Sequence, residues 1–341
     1  MNALCREISK YNDSIDTVYF GGGTPSLMDG VELKKVLDTV YRSFNVAEDA
    51  EITLEANPMT LTEESKLYEF RKLGINRLSI GVQSFSDTEL TALGRGHTAK
   101  EAADTVKAAR NAGFDNISVD LMFAIPHQTL KSFEESLDMT ISLGADHVSV
   151  YALSIEEKTV FGVKQRRGDD LMLPNEDEEA EMYFLACRKL READYEHYEI
   201  SNFGKAKHRS RHNMKYWHGE EYIGLGAAAH SYYKGTRYST PRDINAFCEE
   251  AKKEDVYSNT PEDRAEEAVF LSLRLSDGLD MDRLLKEHGV KPSDSFDKTV
   301  SDLVRQGFCL YDGRVLSLTE KGFFVSNTII LKIFDSLQFT P

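Results

Sequence analysis

The nine residues TVYFGGGTP, at positions 17–25, set the architecture of the chain. The apolar run Thr17–Phe20 is typical of a short buried strand, and three consecutive glycines follow it directly. Glycine permits positive φ and close approach of a ligand, while backbone N–H groups and the Thr24 hydroxyl can donate hydrogen bonds to a carboxylate or phosphate. The segment has neither the G-x-G-x-x-G spacing of a dinucleotide loop nor the Gly-Lys-Ser/Thr of a Walker loop. We therefore predict a ligand-binding loop at the carboxyl end of a strand.

Strand and helix patterns alternate on both sides of this loop, through about residue 155. The predicted strands are Thr17–Phe20, Glu51–Glu55, Arg77–Val82, Asn116–Phe123 and His147–Leu153. The predicted helices, whose apolar residues recur at i, i+3 and i+4, are Val31–Phe44, Thr62–Leu73, Ala99–Asn111 and Ser132–Leu143. Strands joined by one helix each pair in parallel through right-handed crossovers. The pattern therefore predicts βα units, in either a doubly wound sheet or a βα barrel.

Polar residues cluster just after the predicted strands, at Gly21–Thr24, Glu55–Asn57, Gln83, Asp120 and Ser154. In a barrel all of these strand ends converge on one rim, where ligands bind. We therefore favour an α/β fold built on a partial (β/α)6 TIM-type barrel, with residues 1–165 as its main part and residues 166–255 completing it.

The pattern changes after the barrel units. A long helix is predicted over Glu176–Ala193, and a hairpin around Lys234–Gly235. In residues 256–341, helices, a hairpin that turns at Gly313 and a last helix resemble a winged-helix-like α+β domain. Winged helices often bind DNA, but residues 260–341 carry 14 Asp and Glu against 10 Lys and Arg, so DNA binding is not expected.

The net charge of the chain limits the kinds of partner that it can bind. A formal net charge of -16 argues against binding to nucleic acid or anionic lipid, because phosphate groups would repel most of this surface. Met1–Lys10 is typical of a helix start rather than a secretory signal, and the chain contains no run of 18 apolar residues. We expect a cytoplasmic protein without stable membrane insertion.

The number and spacing of the cysteines argue against a C-x-x-C motif and a disulfide framework. The four cysteines, Cys5, Cys187, Cys248 and Cys309, include no C-x-x-C pair. A disulfide framework is not expected in a chain of this kind, so the cysteines are predicted to be buried structural thiols.

Five motifs, in order along the chain, resemble the radical S-adenosylmethionine proteins of the coproporphyrinogen III oxidase group. They are Gly21–Pro25, Glu55–Pro58, Gly81–Ser84, Arg95–His97 and Asp120–Met122, and the resemblance covers nearly the whole chain. It implies that the glycine loop binds the methionine end of S-adenosylmethionine, and that a Glu, a Gln, an Arg and an Asp fix the nucleoside or a second ligand. The residues so implied are Gly22, Gly23, Thr24, Glu55, Gln83, Arg95 and Asp120. We expect them to meet around a single cavity.

One departure from this family concerns its iron–sulfur cluster. Family members hold a [4Fe–4S] cluster through a C-x-x-x-C-x-x-C loop after the first barrel strand, and this chain has no such loop. The barrel is therefore expected to lack its first strand, leaving an exposed edge beside Val18–Phe20. Either the sequence begins at an internal methionine or the protein is shortened; as given, it is not expected to cleave S-adenosylmethionine reductively.

The segment His212–Trp217, with sequence HNMKYW, resembles the H-N-x-x-Y-W element of the haem-chaperone (HemW-type) branch of this family. Neutral imidazole is a common haem iron ligand, so His212 is the candidate metal ligand, and Tyr216 and Trp217 could stack on a porphyrin face. Five basic residues with no acid among residues 205–215 could receive the haem propionates: Lys205, Lys207, Arg209, Arg211 and Lys215.

The leading hypothesis is a haem chaperone that binds haem and S-adenosylmethionine and passes haem to acceptor proteins. A rival is an oxygen-independent coproporphyrinogen III oxidase, which uses a 5′-deoxyadenosyl radical in oxidative decarboxylation. A third is a binding domain without activity. The acceptor, the fate of S-adenosylmethionine and the oligomeric state, including a homodimer, are left open.

Overall fold

A computed structural model describes residues 1–61, 63–250 and 252–339. The strands are β1 Ser14–Phe20, β2 Asn45–Ala56, β3 Arg77–Gln83, β4 Ile117–Phe123, β5 His147–Ala152, β6 Glu196–Glu199, β7 Asn202–Gly204, β8 His230–Tyr233, β9 Thr236–Ser239, β10 Glu254–Ser258, β11 Leu279–Asp280, β12 Val290–Pro292, β13 Cys309–Tyr311, β14 Val315–Leu318 and β15 Leu337–Phe339.

The α-helices are α1 Asn2–Ile8, α2 Gly30–Ser43, α3 Glu64–Lys72, α4 Asp87–Ala92, α5 Ala99–Asn111, α6 Leu130–Ser142, α7 Val160–Arg167, α8 Glu176–Glu192, α9 Arg211–Trp217, α10 Ile244–Cys248, α11 Pro261–Ser272, α12 Met281–His288, α13 Phe296–Arg305, α14 Glu320–Phe324 and α15 Ser326–Phe334. The predicted strands and helices of the first 155 residues are confirmed, with ends shifted by a few residues and β2 beginning earlier, at Asn45. The predicted start of the second helix, Thr62, lies outside the described residues.

Within the described ranges, seven strands form one sheet in the order β1-β2-β3-β4-β5-β7-β6. Pairing from β1 to β5 is parallel, and β7 and β6 continue the sheet antiparallel in the place of a sixth parallel strand. The sheet is curved, since the Tyr151 hydroxyl of β5 reaches over β4 to donate to Gln83 Oε1 of β3 at 2.7 Å. The predicted α/β partial barrel is confirmed as a half-barrel.

Side chains alternate between the two faces of this sheet, as the strand period requires. Leu54, Ile80 and Val119 are fully buried against the surrounding helices. The neighbouring positions on the same strands are polar and face the lumen of the half-barrel; they include Glu55, Ser79 and Asp120. The outer face therefore stabilises the fold, and the inner face is free to carry chemistry.

Helix ends follow local sequence. Thr98 and Glu101 form a reciprocal capping box at the start of α5, and Thr129 with Ser132 does the same for α6. Such caps satisfy backbone N–H groups that the first helical turn leaves unpaired. The caps fix the residue at which each helix begins, and with it the length of the loop between the preceding strand end and the helix.

Two further regions follow the half-barrel. Strands β8, β9 and β10 form an antiparallel sheet, while α11 to α13 pack with the small sheet β11-β14-β13 in an arrangement that contains the expected C-terminal hairpin. The predicted region boundaries at 165 and 255 fall within α7 and β10. No helix in the described part of the chain is long and apolar enough to cross a membrane.

Replacing Leu121 by Ala should test the outer face of β4. Leu121 is fully buried, so its truncation should lower the free energy of unfolding by roughly 2–5 kcal/mol. The matched control is Leu310→Ala, at a side chain 62% exposed, which should change it by less than about 0.5 kcal/mol. Urea denaturation measures both, and equal losses in the two variants would contradict this packing.

Candidate functional site

A large cavity of about 1160 Å³ runs along the whole length of β1, from Asp13 to the glycine loop at its carboxyl end. Its lining includes Gly21–Gly23, Glu55, His212, Tyr216 and His230. The β1 strand forms one border of the described sheet and is only partly buried. The cavity thus joins the glycine loop, one end of β2 and the helix α9.

The glycine loop has the geometry that its sequence predicts. Gly22 and Gly23 have φ of 74° and 87°, in the region that favours glycine. A Cβ at either position would meet no atom within 4 Å, so the backbone faces open space. Among the described residues that line the cavity, both glycines are present and Thr24 is absent; its carbonyl instead accepts from Leu27 N–H at 3.0 Å.

Glu55 holds the loop in place. Its carboxylate accepts a hydrogen bond from Gly22 N–H at 3.2 Å and from the Tyr19 hydroxyl at 2.8 Å. Burial, together with the Glu55 charge, raises the pKa of Tyr19 well above its usual value, so the phenol keeps its proton. A carboxylate and open backbone positions therefore face the same cavity.

Gln83 ends β3, and Arg95, from the segment between α4 and α5, reaches the same strand. Gln83 has φ of 71°, at a point where the register of β3 against β4 shifts after Gly81. Such strain in a residue other than glycine costs about 1–3 kcal/mol and is concentrated at functional sites. Arg95 donates to the Gly81 carbonyl at 3.0 Å, and the Arg95 Nε is buried without a hydrogen-bond partner in the described residues.

Asp120 lies in the lumen, half-buried. It accepts from the Ser79 hydroxyl at 3.1 Å and from the Ser118 hydroxyl at 3.3 Å. Burial raises the pKa of Asp120 to about 6, although the nearby Arg77 opposes the rise. Gln83, Arg95 and Asp120 are not among the described residues that line the cavity. They are linked to it through Tyr151, whose pKa is affected by the charges of Asp120, Arg95 and Glu55.

Helix α9 carries His212 and is fixed by a carboxylate from β2. Glu51 accepts the backbone N–H groups of Arg211 and His212 at 3.1 and 3.0 Å, and the Ser210 hydroxyl accepts from Asn213 N–H at 3.3 Å. These bonds satisfy the donors of the first turn. The position of the histidine therefore depends on β2.

The His212 ring is neutral and both its nitrogens are engaged. Burial, with Lys215 and Arg77 nearby, lowers its pKa to about 4. Nδ1 lies 2.9 Å from the Thr17 hydroxyl and Nε2 lies 2.9 Å from the Tyr216 hydroxyl, while the ring stacks on Tyr19. The imidazole is in the form that binds metals, but a ligand must displace one of these hydroxyls.

Trp217 is not brought to the same place. It lines a separate cleft of about 290 Å³ with Arg264, Glu267 and Arg283, whereas His212 and Tyr216 face the large cavity. Successive helical positions point in different directions, and this separates adjacent residues of α9.

Three of the five basic residues expected to form a free positive patch are already paired with carboxylates. Arg209 pairs with Glu196 and Asp277, Arg211 with Asp16 and Asp49, and Lys215 with Asp16 and Glu220. The prediction that these side chains are free to receive propionates is therefore wrong for Arg209, Arg211 and Lys215. Their partners come from distant strands and loops, which local charge counting cannot reveal.

The cysteines lie apart from the cavity. Cys187 and Cys309 are buried as predicted, Cys5 is only half-buried, and the prediction is wrong for Cys248, which is exposed. No cysteine of the described chain lines the cavity. A [4Fe–4S] cluster needs three thiolates at one place, so the residues present there do not fit it.

Sequence reasoning missed Tyr19, Tyr151 and Arg77, which contact or influence the predicted residues. Strand alternation could have identified them, because each of these three residues lies two positions from another residue that faces the lumen.

Comparison with known proteins places this geometry in context. Residues 3–140 match the Radical SAM superfamily, and residues 259–325 match the HemN C-terminal domain. The chain is 38% identical over 321 residues to the Bacillus subtilis protein named "Heme chaperone HemW", covering 92% of this chain and 84% of that one. It is 32% identical to the Lactococcus lactis protein of the same name, covering 99% and 90%.

Among solved structures, the fold resembles that of Escherichia coli coproporphyrinogen III oxidase (HemN), with a TM-score of 0.82. That likeness covers 97% of this chain and 82% of the other at 21% identity, and it shows a shared fold.

The raised pKa of Asp120 should be visible in the pH dependence of stability. Because the folded state keeps this proton up to about pH 6 and an unfolded chain loses it near 3.8, the carboxyl's contribution to stability falls as pH rises between these values. The free energy of unfolding of the wild type, relative to Asp120→Asn, should therefore decrease from pH 4 to 6 and level off above. Exposed Asp115→Asn is the control in urea titrations, and a difference that is flat or increases over this range would refute the assignment.

Proposed function

The chain belongs to the HemW haem-chaperone family within the Radical SAM superfamily, and on this basis we propose that it binds haem and delivers it to acceptor proteins. The observation that carries the proposal is a neutral imidazole, His212, in the wall of a cavity larger than the roughly 300–1000 Å³ of common ligand sites. Haem is the cargo here.

To bind haem, His212 would give up its hydrogen bond to Tyr216 and form a bond to the iron instead. The Tyr216 hydroxyl, 39% exposed as a residue, leaves Nε2 of His212, and the imidazole then binds the iron. The Thr17 hydroxyl keeps its bond to Nδ1 and so holds the ring orientation. Tyr19, stacked on the imidazole, and Tyr216 offer aromatic surface to the porphyrin.

Trp217 has a different role in this proposal. Because it lines the second cleft, we assign it to the outer contact of α9 with α11 and α12, and not to the porphyrin face. When an acceptor protein supplies its own ligand to the iron, the His212–iron bond would break and the Tyr216 hydroxyl would return to His212, without movement of the tryptophan.

We assign S-adenosylmethionine to the other end of the cavity. Gly22 and Gly23 leave room for its amino-acid end, and the Glu55 carboxylate can bind a cationic group. Bound there, the cofactor would supply a sulfonium cation and a nucleoside. Gln83, Arg95 and Asp120, which lie outside the cavity lining, would have to reach the nucleoside from the neighbouring lumen, and Glu55 would hold the loop against it.

The cofactor acts as scaffold or switch in this proposal. With no thiolate in the lining, no reductive step is assigned to these residues. An oxidative decarboxylase is less well supported, because the likeness to HemN concerns the fold and the closer identities are to haem chaperones.

His212→Ala should weaken haem binding by tenfold or more, since one lost iron ligand is worth at least about 1.4 kcal/mol. Titration of haem followed by absorbance gives both the affinity and the ligand-sensitive spectrum. The control is His218→Ala, at an exposed position that caps the same helix and should bind as the wild type does. Tyr216→Phe should keep or increase affinity because Nε2 loses its competitor. Equal affinity and spectra in His212→Ala and the wild type would remove the assignment.

Glu55→Gln should lower the affinity for S-adenosylmethionine by roughly tenfold, because a charge-assisted contact becomes neutral while the side chain keeps its shape. Equilibrium dialysis with labelled cofactor measures this. Glu48→Gln, at an exposed position of the same strand, should have no effect. If both variants bind as the wild type does, the carboxylate does not contact the cofactor, and the haem assignment is unaffected.

A further inference from the structure

A second cluster of candidate ligands lies away from the cavity, where the half-barrel meets the C-terminal region. Cys187 comes from α8, His197 from β6 and Glu320 from the start of α14. Their ligand atoms all lie within 4.8 Å of one another, and Cys187 Sγ is 3.9 Å from His197 Nδ1. Three elements distant in sequence thus bring a thiol, an imidazole and a carboxylate to one point.

The imidazole is oriented for coordination. His197 Nε2 lies 3.2 Å from the Ile200 carbonyl, which can only accept, so the ring proton is on Nε2 and the Nδ1 lone pair faces Cys187. The ring stacks on Phe203 with centroids 4.1 Å apart and has Phe323 at its edge. A backbone carbonyl that fixes the tautomer of a histidine is the usual outer contact of a metal-binding imidazole.

A buried hydroxyl lies beside the thiol. Tyr183 is one helical turn before Cys187 and 5% exposed; its hydroxyl interacts with the Cys187 sulfur and has no other hydrogen-bond partner among the described residues. Metal binding would make Cys187 a thiolate, which is a stronger acceptor for this hydroxyl than a thiol is.

We propose that Cys187, His197 and Glu320 bind a zinc-type divalent cation. Cysteine, neutral histidine and carboxylate are the ligand types that zinc prefers, and bonds of about 2.0–2.3 Å in a tetrahedron separate ligand atoms by about 3.3–3.7 Å. The 3.9 Å between Cys187 Sγ and His197 Nδ1 has to close by a few tenths of an ångström, and the Glu320 carboxylate has to approach both by up to roughly 1 Å. Small side-chain rotations at all three positions would make these changes. Water takes the fourth position.

The net charge of the ligands and the exposure of Glu320 are both compatible with a bound dication. On binding, the Cys187 thiol gives its proton to water, so thiolate, carboxylate and dication sum to zero and no net charge is buried. The Glu320 side chain is 31% exposed and gives the ion an entry path, and Arg191 can keep its pairing with the second carboxylate oxygen. The ion would join α8 and β6 to α14 and so fasten the half-barrel to the C-terminal region. This inference goes beyond haem binding and does not depend on it.

The test uses Co²⁺ as a spectroscopic probe on the purified, reduced full chain. The wild type should show a thiolate-to-cobalt charge-transfer absorption that saturates at one ion per chain and that Zn²⁺ abolishes. Cys187→Ser should lose the absorption. Cys309→Ser, which removes an equally buried thiol outside the cluster, should keep it.

Two further variants keep the test decisive if Cys187→Ser does not fold. His197→Gln and Glu320→Gln should each bind Co²⁺ at least tenfold more weakly, while circular dichroism stays that of the wild type. Zn²⁺ should raise the melting temperature of the wild type and not that of these variants. The proposal is overturned by a wild type without the absorption, by absorption that persists in Cys187→Ser, or by unchanged affinity in both other variants.

Discussion

Burial inside the half-barrel, with the positive charge of Arg77, sets the protonation of the groups around it. This side chain is 2% exposed and begins β3, so its guanidinium lies among lumen residues rather than in water. Burial lowers the pKa of His147 and of His212, and the Arg77 charge lowers both further. The same charge limits how far burial raises the pKa of Asp120. This cation thus adds to the effect of burial on two neutral imidazoles, together with Lys215 at His212, and helps to balance the carboxylate.

The architecture was accessible from sequence because it rests on local patterns. Helical periodicity, capping residues and the glycine loop are encoded within a few neighbours, and the structure reproduces them. The lumen was less accessible: Tyr19 and Tyr151 sit in strands that look simply apolar or aromatic, and only their alternation with Val18 or Val150 indicates an inner face. Curvature then makes contacts across a strand, such as that of Tyr151 with Gln83, which no sequence period predicts.

The site around α9 could not be predicted fully for a related reason. A run of basic residues suggests a free cationic surface, yet Arg211 finds a carboxylate 162 positions earlier and Arg209 finds one 68 positions later. Tyr216 and Trp217 are adjacent in the HNMKYW motif, but they line different clefts because successive side chains of a helix point in different directions. Motifs identify which residues matter, while tertiary pairing decides what each of them faces.

The strand β2 holds both ends of the cavity. Glu55 binds the glycine loop, and Glu51, four residues earlier on the same face, binds the first turn of the helix that carries His212. Four residues of strand span about 13 Å, and a strand paired on both sides hardly stretches. The distance between the loop and the histidine is therefore set by one rigid segment. Two ligands bound at these points would be kept at a fixed separation whatever the surrounding helices do.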